Sequence, residues 1–278
     1  MRTYAHDGLV FDLKDEGPED GFPVVLLHGF PQDSTAWDAI VDPLHEQGFR
    51  TLAPDLRGYS PAARPGSAKD YVLARTAGDV IALLDSIDAE QAHIVGHDWG
   101  GFVAWGVASA FPDRVRTLSV LSTPHPAAMK ASFVRSTQGL RSWYMGMFQL
   151  PWISEQIIHP GGPAWNALMR GLPPHQAAHY TDRMRQPGAL SAALNWYRAM
   201  PRDMIRSSLP MHRITVPTTY VWGERDPALG RSAAEATGDY VSADYTFTIL
   251  KGIGHWIPET APDAVVESLL DRFTDRVP

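Results

Sequence analysis

Two hydrophobic rhythms alternate along this chain. Short unbroken runs, PVVLL (23–27), RTLAP (50–54), QAHIV (91–95), VRTLSVL (115–121), PTTYVW (217–222) and TFTIL (246–250), read as strands buried on both faces of a parallel sheet. Between them, residues 71–87 carry Val72, Leu73, Val80, Ile81, Leu83 and Leu84 at helical spacing. Residues 262–273 repeat that pattern behind a proline suited to a first helical turn. At the N-terminus, residues 2–14 predict a hairpin turning at His6–Asp7–Gly8. The alternation predicts an α/β fold: a mostly parallel central sheet flanked by helices. It breaks once. From Thr123 to about Leu209 there is no strand-like run, only helix-like pieces rich in Trp, Met, Tyr and Pro, and the alternation resumes near Ile214. The expected organisation is a core of residues 1–124 and 211–278 with an inserted helical cap, 125–210.

Composition narrows the function. A 44% hydrophobic, 20% charged chain is ordinary for a globular protein. Its net charge of -7 and lack of a basic stripe argue against a nucleic-acid partner. Cysteine is absent, which rules out disulfides and thiolate metal sites. No apolar run approaches the roughly 18 residues of a membrane span, and MRTYAHDGLVFDLKDEG lacks an apolar leader. The expectation is a soluble cytoplasmic protein without a membrane partner, its oligomeric state unspecified.

In open α/β sheets, ligands bind beyond the carboxyl ends of the strands. Four loops there carry polar groups: HGFPQ, GHDWGG, GERDP and GIGHWIPE. GHDWGG matches the G-x-[nucleophile]-x-G elbow, with Asp98 where serine usually stands and Gly96 and Gly100 giving the turn clearance. A helix N-cap is the alternative role for an isolated Asp98. The chain order Asp98, Asp226, His255 repeats the nucleophile–acid–histidine order of the hydrolase elbow, each residue just past a strand. An aspartate is already ionised at neutral pH, with an unperturbed pKa of about 3.9. Its attack on an acyl carbon would leave a labile anhydride, whereas displacement at saturated carbon leaves an ordinary ester. Asp98 thus points to alkyl transfer. His255 would then activate water, and Asp226 would orient it.

HGFP, DLRGY, GHDWGG, FPDRVRTLSVLSTP and GIGHW, in this order, resemble the α/β-hydrolase fold family, in particular its epoxide hydrolase branch, over essentially the whole chain. The resemblance implies a cofactor-independent, metal-independent enzyme acting on a small hydrophobic epoxide and water. It also implies an oxyanion hole of the Phe30 and Trp99 N–H groups, a cis Phe30–Pro31 bond, and structural roles for His28 and Gly29. An opening epoxide needs a proton donor, and tyrosine suits neutral pH. Tyr144 in YMGMFQ and Tyr197 in NWYR resemble the family's ring-opening pair; Tyr180 lacks that setting. Phe30, Pro31, Trp99, Phe148 and Trp256 are the expected pocket residues.

Other readings stay in view. Trp99 would fit a haloalkane dehalogenase, but Phe30 stands where those enzymes usually present Asn. Fluoroacetate dehalogenases carry Arg after the nucleophile. A ligand-binding receptor on the same scaffold could also keep the triad. His175 and His179 have a zinc-compatible i, i+4 spacing but no nearby third ligand in sequence. Trp143, Met145, Met147, Phe148, Trp152 and Ile153 could line the pocket or form a cap–core seam. DLRGYSPAARP lacks the second glycine often seen after RGY. Glu267, Asp271, Arg272, Asp275 and Arg276 read as a solvated helix face.

Overall fold

The predicted runs become one eight-stranded sheet in a computed structural model that describes residues 2–135, 143–205 and 208–274. The strands are β1 (Arg2–His6), β2 (Leu9–Glu16), β3 (Phe22–Leu27), β4 (Phe49–Pro54), β5 (Ala92–His97), β6 (Val115–Leu121), β7 (Thr218–Gly223) and β8 (Tyr245–Leu250). Their spatial order is β1-β2-β4-β3-β5-β6-β7-β8. The pairs β1–β2 and β2–β4 are antiparallel and all others parallel. The hairpin turns where expected, with Asp7 and Gly8 at φ of 56° and 76°. Positive φ at both positions matches the right-handed twist of the flanking strands.

The helices are α1 (Asp38–Glu46), α2 (Leu73–Ser86), α3 (Trp99–Ala110), α4 (Pro126–Arg135), α5 (Trp143–Met147), α6 (Ile153–Ile157), α7 (Pro163–Leu168), α8 (Pro174–Met184), α9 (Ala189–Ile205), α10 (Arg231–Ala236), α11 (Ile257–Thr260) and α12 (Pro262–Thr274). On one face of the sheet, Ile40 and Leu44 of α1 pack with Val265, Leu269 and Phe273 of α12. On the other face, α2 and α3 bury Val80, Leu83, Val103 and Val107 in a cluster that runs on into α7, α8 and α9. The sheet is therefore covered on both sides, which is why its inner strands show no polar alternation. The helix expected over 71–87 begins later, at Leu73. Ser67 caps a separate turn at Ala68–Tyr71, and Val72 is extended. Among the described residues the interval between β6 and β7 holds helices and no strand, as the broken rhythm predicted. No described helix is long and apolar enough to cross a membrane.

One surface expectation is corrected. Arg272 is buried: it bonds Thr219 and Thr246 and pairs with Asp244 at 2.5 Å, tying α12 to the last two strands. Charge pattern alone missed this because arginine can bury its stem beneath a paired head. Asp275 and Arg276 lie outside the described residues.

The carboxyl ends of β3, β5 and β6 are brought level by the pairs Leu27↔Gly96 and His97↔Leu121. At this edge β5 turns into α3, a crossing that leaves no room for side chains. A Cβ on Gly96 would lie 2.3 Å from the Gly100 carbonyl oxygen, and one on Gly100 would lie 2.0 Å from that of Leu27. Gly100→Ala should therefore destabilise the protein by roughly 1–3 kcal/mol or more, as overpacking does. Gly146→Ala, on a helix with nothing within 4 Å, should be neutral or stabilising by up to about 1 kcal/mol. Urea midpoints of the two variants check the contrast.

Candidate active site

Asp98 sits on the corner between β5 and α3 with φ 50° and ψ −117°. A non-glycine residue with positive φ is strained, and such strain clusters where function needs a side chain held in one direction. The main chain is pinned: Asp98 C=O accepts from Phe102 N–H at 3.1 Å and from the Thr123 hydroxyl at 2.7 Å. Its side chain makes no N-cap bond, which removes the capping alternative. Instead Oδ1 accepts the Phe30 N–H at 2.9 Å, across 68 residues of chain. Gly29 allows this approach, because a Cβ there would stand 2.3 Å from Asp98 Cβ. Burial pushes the Asp98 carboxyl up, and His255 together with the Phe30 and Trp99 N–H groups pulls it back toward the charged form.

His255 lies in the loop after β8. Its Nε2 is 3.6 Å from Asp98 Oδ2 and its Nδ1 is 2.8 Å from Asp226 Oδ2. Asp226 uses its two oxygens differently. Oδ1 accepts the Ala228 and Leu229 N–H groups and so fixes the loop after β7, leaving Oδ2 for the imidazole. Asp226 thus caps the turn after β7 and holds the histidine at the same time. Burial works against an imidazolium at His255, but the Asp226 carboxylate, with Asp98 and Glu259 behind it, more than offsets this and brings its pKa up to about 9.

Tyr144 of α5 and Tyr197 of α9 meet with ring centroids 6.2 Å apart, and Tyr197 stands edge-on to Trp99 at 4.9 Å. Both tyrosines, Asp98 and Trp99 line one cavity of about 260 Å³. Burial, with the Asp98 charge added, pushes both phenols up, so they keep their protons and can donate. The rest of the wall includes Phe102, Met129, Phe133, Met145, Met200 and Met211. Most of these were beyond sequence reasoning, since no motif marks a side chain that merely faces a gap between helices.

Of the expected pocket residues, Trp99 is on the wall. Phe30 and Phe148 are buried against Tyr197 at 5.5 and 4.7 Å, and they back its ring rather than line the cavity. Pro31 is buried behind a cis Phe30–Pro31 bond, and Trp256 packs on His255 at 5.2 Å while donating to the Arg170 carbonyl. Trp143 and Trp152 are 68% and 75% exposed, so neither forms pocket or seam, and Ile153 is also on the surface. Met147 packs partly buried against the core cluster. His179 is an ion-pair partner of Asp33 at 2.7 Å, beside Arg183, which reaches Asp33 and Asp55. Among the described residues no cluster of three or more potential ligands could hold a metal. His28 braces the loop, bonding Gly29 O and accepting Leu56 N–H, and Tyr180 donates to Glu259 at 3.0 Å.

A family model described as the alpha/beta hydrolase fold matches residues 23–262. "AB hydrolase superfamily protein YfhM" of Bacillus subtilis is 33% identical over 97% of this chain and 96% of its own. "Epoxide hydrolase A" of Mycobacterium tuberculosis is 31% identical over 93% of this chain and 92% of its own. A solved structure from work on novel epoxide hydrolases in metagenomes from hot environments superposes with a TM-score of 0.86 at 28% identity, covering 99% of this chain and 98% of that one.

Titration of the His255 ring by NMR should find a midpoint near 9. Replacing Asp226 by Asn removes the anion that raises it, so the midpoint must move down. An unmoved midpoint would show that Asp226 does not set the ring's basicity.

Proposed function

The chain is a hydrolase belonging to the α/β-hydrolase fold family, on its epoxide hydrolase branch, and from that premise we propose that it converts epoxides to vicinal diols through an alkyl ester on Asp98. One observation carries this reading: an elbow aspartate, held by a backbone N–H and facing His255, opens onto the same cavity as the half-buried Tyr144 and the buried Tyr197. The helical segment, 125–210, serves as the cap that supplies those tyrosines.

In the first step an Asp98 carboxylate oxygen attacks a ring carbon and the C–O bond breaks. The oxygen leaves as an alkoxide that takes a proton from Tyr144 or Tyr197. Without that proton an alkoxide is too basic to depart, and general acid help of this kind contributes typically about 10²–10⁴-fold. The Asp98 charge, which raised His255, vanishes on alkylation. The His255 pKa then falls below its resting value of about 9, and the imidazole becomes free to act as a base only once there is an ester to hydrolyse. In the second step His255 takes a proton from water, and the hydroxide attacks the Asp98 carbonyl. The resulting oxyanion lies where the Phe30 and Trp99 N–H groups already point. The tyrosinate left by ring opening regains its proton from the resting His255 imidazolium before that ring acts as base, and on collapse the proton of the added hydroxyl passes to the departing diol oxygen, so the carboxylate, the imidazolium and the phenol are all restored.

A second reading, halide displacement by the same carboxylate, has one observation in its favour. The buried Trp99 Nε1–H, beside the Tyr197 hydroxyl, makes no well-formed hydrogen bond among the described residues, and a departing halide needs an N–H donor rather than a proton. The paired tyrosines favour the epoxide. Diol formation and halide release measured side by side, on styrene oxide and on a bromoalkane, separate the two.

Three outcomes are expected with styrene oxide. His255→Gln should accumulate an Asp98 adduct visible by mass spectrometry, and no adduct would remove the ester from the scheme. Changing both tyrosines to Phe should lower ring opening by at least about 10²-fold. Hydrolysis of the ester should rise with pH through a midpoint below 9, the resting value for His255; a midpoint at or above it would contradict the timing argument.

A further inference from the structure

Among the described residues, the cavity at Asp98 reaches out on one side only. From the carboxylate and the two phenols its wall runs past Trp99 and Phe102 of α3, along Met129 and Phe133 of α4, to Met200 near the end of α9. Lys130, also on the wall, is exposed, so solvent meets this arm at α4. On the opposite side the space is filled. Phe30 stands edge-on to Tyr197 at 5.5 Å and to Trp165 at 6.4 Å, and Phe148 closes on Tyr197 at 4.7 Å. Trp165 is fully buried and donates to the Thr181 hydroxyl at 2.9 Å, tying α7 to α8. Trp256 packs beside His255 and is fixed to the Arg170 carbonyl at 3.3 Å. None of these aromatic side chains is on the wall.

The polar side chains on the arm beyond the tyrosines, Lys130 aside, are already engaged. The Thr123 hydroxyl is spent on the Asp98 carbonyl at 2.7 Å. Asp203 accepts the Leu73 N–H at 2.8 Å with one oxygen, and the Ser208 N–H at 3.1 Å and the Ser208 hydroxyl with the other. What remains between the tyrosines and Lys130 is apolar, and it includes Met129, Met145, Met200 and Met211. Unbranched thioether chains re-pack around guests of different outline. The wall therefore discriminates little between shapes of a substituent lying in the arm. It discriminates sharply against a second substituent on the other side, because a packed interior has no void to receive one and forcing one in strains the core.

We propose that this site takes terminal epoxides: one ring carbon carries a single apolar substituent, which lies in the α4 arm, and the other carries only hydrogen. A trans-disubstituted epoxide has a group on each ring carbon, and the two point away from each other. It is excluded because one of them must enter the space held by Phe30, Phe148 and Trp165. This substrate class rests on the reading of Asp98 and the tyrosines given above, and it adds which epoxides they meet.

Two isomers test this in the wild-type protein: para-phenylstyrene oxide, which is terminal, and trans-stilbene oxide, which is not. They contain the same atoms, so bulk alone does not separate them. The terminal isomer should show a kcat/KM for diol formation at least about 10²-fold higher, since one surplus methylene in an apolar pocket already costs about 10–200-fold. Met129→Trp fills the arm. It should lower kcat/KM for para-phenylstyrene oxide at least roughly 10-fold further than for propylene oxide, whose methyl group needs little of the arm. Equal turnover of the two isomers, or a preference for trans-stilbene oxide, would overturn the proposal. So would turnover of styrene oxide with none of para-phenylstyrene oxide, or a Met129→Trp loss shared equally by the long and the short substrate. Styrene oxide keeps the two readings apart. If it yields neither diol nor an Asp98 adduct, the epoxide chemistry itself has failed; if it yields diol while the isomers turn over alike, only the one-armed site has failed.

Discussion

A carboxylate taken out of water has to be compensated, and the arrangement of this molecule follows from how that is done at Asp98. Its Oδ1 is met by the Phe30 N–H and its Oδ2 faces the His255 ring, and the side chain makes no cap bond with the helix that the residue opens. Each compensating group comes from a different strand end, so the site exists only when β3, β5, β7 and β8 lie in their parallel order. The glycines at 29, 96 and 100 belong to the same constraint, since each stands where a Cβ would strike the elbow or its neighbours. The opposing demands of burial and charge also give the carboxylate its reactivity: it is poorly solvated yet held in the anionic form.

This compensation is reciprocal. Asp98 helps raise His255 just as His255 helps hold Asp98 ionised, so the chemical state of one reports on the other. Asp226 supplies a constant background to the exchange because its second oxygen is committed to two backbone N–H groups and its place in the loop does not vary. A triad built in this way has a base whose strength, set chiefly by Asp226, also shifts with the occupancy of its nucleophile.

Much of the fold was legible in the sequence because burial on both faces of a parallel sheet leaves unbroken apolar runs, and all six became strands with ends shifted by a residue or so. The triad positions were legible for a related reason: a corner with no room for Cβ atoms writes its glycines into the chain at fixed spacing. The cavity wall was not. Phe102 and Met200 face it because of how helices cross, and the sequence holds no periodic trace of that. Aromatic residues in the helical segment misled for the converse reason, since Trp143 and Trp152 are as hydrophobic as any pocket residue but lie on the outside. His97 and Glu259 were not legible as neighbours, because the Gln32 side chain that bonds both comes from a distant segment. Arg272 looked solvated until its partners on β7 and β8 were in place.

Helix α8 bears on what keeps the frame of this site in place. It is riveted to the core at His179, Tyr180 and Arg183, through Asp33, Asp55 and Glu259. Such an edge behaves as the jamb of a door and not as its leaf. Its residues are not on the cavity wall, whose helical sides come from α4, α5 and α9, so the shape a guest meets is decided by those helices while α8 only holds the frame.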